Sequence, residues 1–264
     1  EWNSSIDYEN KKVAVIGSGA TAVTLIPEIA KKASHVTMIQ RSPTYIASAP
    51  SKYKILHLLN YISPKLGYKI IRFTNILRQR RIYRRAMRSP ELVKNYLLDL
   101  VRDELPGFDI EKHFTPTYNP WEQRLCLAPD SDFFESINQK RVSVETETID
   151  SFSEKGVQLD SGKLIEADII ITATGIKLQK FGGIRIFVDE NEIDISKSFI
   201  YKSMMYTQIP NFINTFGYIN ASWTLKADLT SKYACRLINF MNDNNYAKCL
   251  PIAPDDLEET KGFL

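Results

Sequence analysis

The chain has 264 residues and a formal net charge of +3, and 44% of its residues are hydrophobic and 25% charged, as is ordinary for a folded globular protein. The charge is uneven, because residues 51–90 carry eleven lysines and arginines and no acidic residue, whereas acidic residues outnumber basic ones elsewhere by eight. Basic character is therefore regional, which argues against nucleic-acid binding by the chain as a whole.

The first predicted elements are a strand, a glycine-rich turn and a helix. An apolar strand over Lys12–Ile16 runs into a Gly-x-Gly-x-x-Ala turn, and helical spacing of apolar residues follows over Thr21–Lys32. In such a turn the first glycine permits a tight bend, the second lets the backbone approach a pyrophosphate, and the alanine lets the helix pack closely on the strand. The free N–H groups and the dipole of the helix start then attract phosphate. We assign to this cofactor-binding turn Gly17, Ser18, Gly19, Ala20, Thr21 and Ala22.

A second strand is predicted over His35–Gln40, and it ends at Arg41 and Ser42. In dinucleotide-binding folds, residues at this place contact the ribose next to the adenine. A guanidinium with a neighbouring hydroxyl suits a 2′-phosphate, because arginine forms charge-assisted hydrogen bonds with phosphate oxygens. The pair therefore predicts NADPH rather than NADH as the cofactor.

Residues 45–105 show helical patterns in which apolar and basic residues mix, and we interpret them as a helical insertion. Ser89, Pro90 and Glu91 mark a helix start, with a serine cap, a proline in the first position and an acid in the first turn. For the basic stretch 51–90, the simpler interpretations are a solvated face or a face that covers acidic surface of a part of the protein missing from this chain. Peripheral contact with an anionic membrane surface is the alternative that stays open.

Sheet patterning returns after the insertion. Strands are predicted over Val142–Glu147, Val157–Leu159 and Ala167–Ala173, the last ending in Thr-Ala-Thr-Gly at Gly175, and a long helix is predicted over Ser222–Asn244. The fold class is therefore α/β, with a Rossmann-like three-layer domain that binds NAD(P) and carries a helical insertion.

The number and spacing of cysteines and histidines limit the kinds of redox and metal site that the sequence can form. Cys126, Cys235 and Cys249 are far apart and form no Cys-x-x-Cys pair, which favours a reducing, cytoplasmic location. The three histidines show no metal-ligand spacing, so no metal site is predicted. The sequence has neither a signal peptide nor an apolar run near the ~20 residues of a membrane span.

Six segments together resemble the class B flavoprotein monooxygenases, which comprise Baeyer–Villiger and flavin-containing monooxygenases, and among them the ethionamide-activating group. They lie in the family's order along nearly the whole chain. Beyond the glycine turn and the Gln40–Tyr45 segment, they are Phe-Thr-Pro-Thr-Tyr-Asn-Pro-Trp at 114–121, Gln-Arg-Leu-Cys-Leu at 123–127, Ala-Asp-Ile-Ile-Ile-Thr-Ala-Thr-Gly at 167–175 and Gly-Tyr-Ile-Asn-Ala-Ser-Trp at 217–223.

The resemblance implies an NADPH-binding domain inserted into a discontinuous FAD-binding domain. Residues 10–175, including the insertion at 45–105, correspond to the NADPH domain, and residues 176–264 correspond to the returning part of the FAD domain. The family has an earlier glycine motif for FAD and a signature ending in a tryptophan that Trp2 matches. We therefore expect the chain to be a fragment that lacks the N-terminal FAD motif.

The resemblance also implies an activity with FAD and NADPH as cofactors. In the family one atom of O₂ is inserted into a ketone, or added to sulfur or nitrogen, through a C4a-peroxyflavin. Arg124 matches the family's active-site arginine, whose guanidinium suits a developing peroxy anion. Gln123 stands where many relatives have a lysine near the 2′-phosphate, and Thr174 and Gly175 match the cofactor-binding crossover between the domains.

Two other functions stay open. A two-dinucleotide flavoprotein reductase would share the nucleotide turn, but this class usually has a redox-active cysteine pair, which the sequence lacks. A truncated module that binds NADP(H) without catalysis would fit the missing FAD motif. The implied partners are O₂ and a small ketone, sulfide or thioamide, and the sequence does not specify which.

Overall fold

The computed structural model describes residues 5–52, 63–123, 125–218, 222–254 and 256–257. The chain divides into two compact units, Glu1–Ile176 and Lys177–Leu264. The elements of the first unit are, in chain order, β1 (Lys12–Ile16), α1 (Ala20–Ile29), β2 (His35–Gln40), β3 (Tyr45–Ala49), α2 (Pro64–Arg88), α3 (Pro90–Glu104), α4 (Ile110–Phe114), β4 (Leu125–Pro129), α5 (Asp132–Asn138), β5 (Val142–Thr146), β6 (Ile149–Ser153), β7 (Gly156–Leu159), β8 (Leu164–Glu166) and β9 (Ile169–Thr172).

A four-stranded parallel sheet in the order β5-β2-β1-β9 forms the centre of the first unit. From β1 the chain first adds β2 and β5 on one side of the sheet, and then returns to add β9 on the other side of β1. The gap between β1 and β9 is therefore a topological switch point. In open parallel sheets, ligands bind beyond the carboxyl ends of the strands at such a switch point. The α/β class with a parallel sheet is confirmed.

Both faces of the sheet are covered, which explains the continuous apolar character of β1 and β2. Val13 and Val15 point to one side, into a core shared with α1 and α5 that contains Phe133. Ala14 points to the other side, into a second core with Val157 and other residues of the antiparallel β6-β7-β8 sheet. Helices, parallel sheet and antiparallel sheet are thus the three layers.

The insertion differs from the sequence prediction at its start. Residues 45–49 form strand β3, which pairs in parallel with β4, so Tyr45 lies beside Leu125 and the insertion expected over 45–105 is not helical throughout. The reason is a partner 80 residues away, which local periodicity does not reveal. Residues 53–62 of the insertion lie outside the described residues. From residue 63 onward the insertion consists of helices α2 and α3.

Serine residues flank these two helices. Ser63 caps α2 by accepting a hydrogen bond from the Leu66 amide at 3.4 Å. Helix α3 starts at Pro90 as predicted, but the Ser89 side chain makes no capping hydrogen bond. Ser89 also ends α2, where its backbone N–H donates to the Arg85 carbonyl. Within the described ranges, no helix combines the length and the apolar character needed to cross a bilayer.

The second unit contains two short hairpins and a long helix. The hairpins pair β10 (Phe187–Val188) with β11 (Asn191–Glu192) and β12 (Ile200–Tyr201) with β13 (Met205–Tyr206). Helix α6 (Trp223–Asp243) lies within the predicted helix over Ser222–Asn244. Its apolar side is partly exposed: Leu229 and Phe240 are more than half exposed, whereas Leu225, Tyr233 and Leu237 are half-buried.

Candidate cofactor site

Gly17 makes the turn that the sequence predicts after β1. Its φ angle is +126°, which residues with a side chain rarely adopt. A Cβ atom placed on Gly17 would lie 2.4 Å from the backbone oxygen of Ala173. The Gly17 amide donates to the Ile39 carbonyl at 2.8 Å, and the Ala173 amide donates to the Ile16 carbonyl at 2.7 Å. The turn is therefore closed on both sides by backbone from β2 and β9, and only glycine fits there.

Gly19 and the start of α1 provide an open phosphate cradle. A Cβ on Gly19 would meet nothing within 4 Å, so a ligand can approach this backbone. Gly19 is the N-cap of the ten-residue helix α1, and no side chain caps the helix. The first amides of α1 are thus available for an anion, and the helix dipole favours one. Ala22 is fully buried and packs the helix against the sheet.

Arg41 and Ser42 directly follow β2, at the same carboxyl edge of the sheet. Both residues are exposed. The Ser18 hydroxyl donates to the Ser42 carbonyl at 3.4 Å, which joins the glycine turn to this segment. Thr174 and Gly175 follow β9, across β1 from Arg41, and Gly175 has a φ of +100°. The structure thus brings these predicted residues to one sheet edge, on the two sides of the switch point.

A closed turn precedes β4 and contains Gln123, which is exposed. Glu122 holds this turn, because its carboxylate accepts hydrogen bonds from the amide and the side chain of Asn119, each at 2.8 Å. These bonds lower the pKa of Glu122, the backbone one most. Arg124, the predicted catalytic residue, lies outside the described residues.

Cys126 links this segment to the phosphate cradle. The side chain is buried, and its Sγ lies 3.9 Å from the Ser18 carbonyl oxygen, as in a weak S–H···O hydrogen bond. From the sequence, Cys126 was expected to matter only for the redox environment and as part of the 123–127 segment, and this contact was not predicted. A buried cysteine two residues after Arg124 carries no local signal that would have revealed it.

A buried polar network lies beneath Arg41. Gln40 is 2% exposed, and its Nε2 donates to the His113 carbonyl at 2.7 Å and to the Thr146 hydroxyl at 2.9 Å. The Nδ1 atom of His113 lies 2.8 Å from the same hydroxyl. Burial, with a smaller contribution from the Lys112 charge, lowers the pKa of His113. The network fixes the ends of β2 and β5 next to the predicted ribose position, and sequence reasoning missed it.

The lowered pKa of His113 predicts acid sensitivity. Between the folded pKa and the unfolded value of about 6.5, the unfolded state binds more protons, so stability rises with pH. We therefore expect the melting temperature to be unaffected by this histidine above that range and to fall as the pH drops through it. Melting curves of the chain and of His113→Gln at neutral and mildly acidic pH test this. The variant should lose less stability on acidification, and an equal loss in both proteins would contradict the assignment.

Comparison with known proteins shows a consistent likeness. The chain is 48% identical, over its whole length, to the FAD-containing monooxygenase EthA of Mycobacterium tuberculosis H37Rv, and covers 54% of that protein. It is 47% identical to the probable FAD-binding monooxygenase AlmA of Acinetobacter baylyi, covering 95% of the chain and 51% of that protein. No protein-family model matches the chain.

The structural comparison agrees on the fold. The crystal structure of OTEMO in complex with FAD and NADP aligns with 92% of the chain and 53% of its own length, at a TM-score of 0.67 and 19% identity. The chain spans about half the length of the curated relatives it matches. The resemblance inferred from the sequence motifs is confirmed, since these relatives are FAD-containing monooxygenases or probable FAD-binding monooxygenases.

Proposed function

We propose that the protein is an FAD- and NADPH-dependent monooxygenase, and that this chain supplies its NADPH site. The observation that supports the proposal most strongly is the phosphate cradle at the switch point, in a chain whose whole length aligns with about half of EthA. The cradle fits a pyrophosphate, because Gly17 admits no side chain and Gly19 leaves open space beside the uncapped start of α1.

Each part of the site has a proposed role. The amides of residues 19–22 bind the pyrophosphate, and the Arg41 guanidinium with the Ser42 hydroxyl binds the 2′-phosphate. Gln123 contacts the same phosphate region, and Thr174 and Gly175 flank the cofactor from the end of β9. Residues 10–175 form the NADPH domain, and residues 176–264 form part of the FAD domain. The division of the chain after Ile176 supports this assignment.

The bound flavin supplies the oxygen-activating chemistry, which no side chain of this chain can perform. Arg124 would supply positive charge where negative charge develops on oxygen during the reaction, the role of a preorganised electrostatic donor. The substrate is a small ketone, sulfide or thioamide together with O₂. We also propose a cytoplasmic location, supported by the odd number of cysteines and their wide spacing in the sequence.

Arg41 is expected to set the preference for NADPH. Arg41→Ala should weaken NADP⁺ binding by about a hundredfold, as expected for a charge-assisted pair, and should change NAD⁺ binding little. Calorimetric titration of both nucleotides measures the two effects. Lys32→Ala removes an exposed charge elsewhere in the same unit and serves as the matched control. Equal losses for both nucleotides would remove Arg41 from phosphate recognition.

The test of the function is incorporation of labelled oxygen. The full-length protein that contains this chain is incubated with FAD, NADPH and ¹⁸O₂, once with a ketone and once with a sulfide. The proposal predicts one labelled atom in the ester or sulfoxide product and NADPH consumption that depends on FAD. NADP⁺ binding without FAD binding and without product would instead identify an NADP(H)-binding module.

A further inference from the structure

Helix α2 has the strongest unassigned charge in the chain. It carries nine basic residues and no acidic residue over 25 residues, a length of about 37 Å. They are Lys65, Lys69, Arg72, Arg78, Arg80, Arg81, Arg84, Arg85 and Arg88. The proposed monooxygenase function uses none of them.

The first half of α2 exposes an apolar stripe. Leu66, Ile70 and Phe73 are spaced four and three residues apart, so they lie on one face of the helix. Their exposed fractions are 52%, 40% and 67%, respectively. Exposed apolar side chains grouped on one face, rather than scattered singly, mark an interaction surface.

In the second half of α2, arginines occupy the face that carries the apolar stripe in the first half. Arg80 follows Phe73 by seven residues, and Arg84 and Arg88 follow at further steps of four, so they extend the apolar stripe along the helix. Arg80, Arg81, Arg84 and Arg88 are all exposed. Near its C-terminal end the opposite side of α2 packs on the protein, because Ala86 is fully buried in a cluster with Val93 and Leu97 of α3, whereas Tyr68 and Ile82 on that side are exposed.

We propose that this face of α2 binds the surface of an anionic lipid bilayer, with the helix lying in the plane of the interface. Leu66, Ile70 and Phe73 would enter the boundary between headgroups and acyl chains, as the apolar side of an interfacial helix does. The arginines that follow would lie against anionic headgroups, each contributing electrostatic attraction. The inference goes beyond the proposed catalytic function and does not depend on it.

Charge and polarity favour an anionic lipid surface over two other partners for this face, a second copy of the chain and a nucleic acid. A second copy of the chain docked through the same face would bring two helices of like charge together, which is repulsive. A nucleic acid would satisfy the arginines, but it would leave the Leu66–Phe73 stripe in contact with a polar backbone. An anionic lipid surface offers both an acidic layer and an apolar layer, and it therefore matches both halves of the face.

The test is cosedimentation of the chain with lipid vesicles. The chain should bind vesicles that contain phosphatidylglycerol, bind vesicles of phosphatidylcholine alone far less, and dissociate as the salt concentration rises. The triple variant Arg80→Gln, Arg81→Gln, Arg84→Gln should bind the anionic vesicles about a hundredfold more weakly. Phe73→Ser should weaken binding about tenfold through the apolar contact.

A matched control removes the same charge elsewhere. Lys32→Gln, Lys140→Gln, Lys155→Gln changes three exposed lysines of the first unit, and it should bind vesicles nearly as the unchanged chain does. All variants alter exposed positions, and circular dichroism checks their fold. Equal weakening in both triple variants, or equal binding to both kinds of vesicle, would overturn the proposal. A dimer that dissociates in the Phe73→Ser variant, without vesicle binding, would assign the face to a second copy.

Discussion

Gly17→Ala is expected to abolish NADP⁺ binding and to destabilise the first unit. The added Cβ would lie 2.4 Å from the oxygen and 2.8 Å from the carbon of the Ala173 carbonyl, so backbone must move. The φ of +126° adds strain of about 1–3 kcal/mol for a residue with a side chain. Because the same turn carries the phosphate cradle, displacement of its backbone removes the binding geometry as well as stability.

Gly19→Ala is the matched control for this prediction. Its backbone is extended, at φ −78° and ψ −179°, and a Cβ there meets no protein atom within 4 Å. The melting temperature should therefore stay near that of the unchanged chain, while NADP⁺ binding falls because the methyl group occupies the ligand's approach. A Gly17→Ala variant with unchanged melting temperature and unchanged NADP⁺ affinity would show that the turn is not the closed structure described here.

In the full-length protein, Arg124→Ala is expected to abolish oxygenation while NADPH still reduces the flavin in part. Loss of a preorganised group that stabilises developing negative charge costs about 10²–10³ in rate. Stopped-flow flavin reduction under anaerobic conditions and product formation in air separate the two steps. Arg124→Lys keeps the charge but loses the planar fork of donors, and it should recover only part of the oxygenation.

Arg102→Ala provides the control for loss of an arginine. Arg102 is exposed on α3 and pairs with Asp99 and Glu111, each at 2.7 Å, so its removal tests general effects of losing a surface ion pair. Both reduction and oxygenation should stay near normal in this variant. Normal oxygenation in Arg124→Ala would show that the assigned role is wrong.

The parts of the fold with local signals could be predicted from the sequence. The bounds of β1 and β2 agree with the prediction, because both are short apolar runs with clear ends: β1 runs into a glycine turn, and β2 ends at the polar residues Arg41 and Ser42. Helix α6 was likewise predicted to within one residue at each end. The glycine turn specifies its own geometry, since the positive φ at Gly17 leaves glycine as the only residue without strain.

Features that depend on distant partners could not be predicted. Strand β3 exists because it pairs with β4, and the contact between Cys126 and Ser18 joins positions 108 residues apart. The Gln40–His113–Thr146 network likewise joins three separate elements, and none of these residues has a pattern that marks it locally. Sequence periodicity reports burial of one element, whereas such contacts follow from how elements pack.

The most direct test of the central claim is calorimetric titration of this chain with NADP⁺, with NAD⁺ and FAD titrated in parallel. One NADP⁺ is expected to bind per chain, with clearly higher affinity than NAD⁺, because the cradle binds the pyrophosphate and Arg41 adds a contact to the 2′-phosphate. Absence of binding by both nucleotides in a folded chain, or equal affinity for the two, would contradict it.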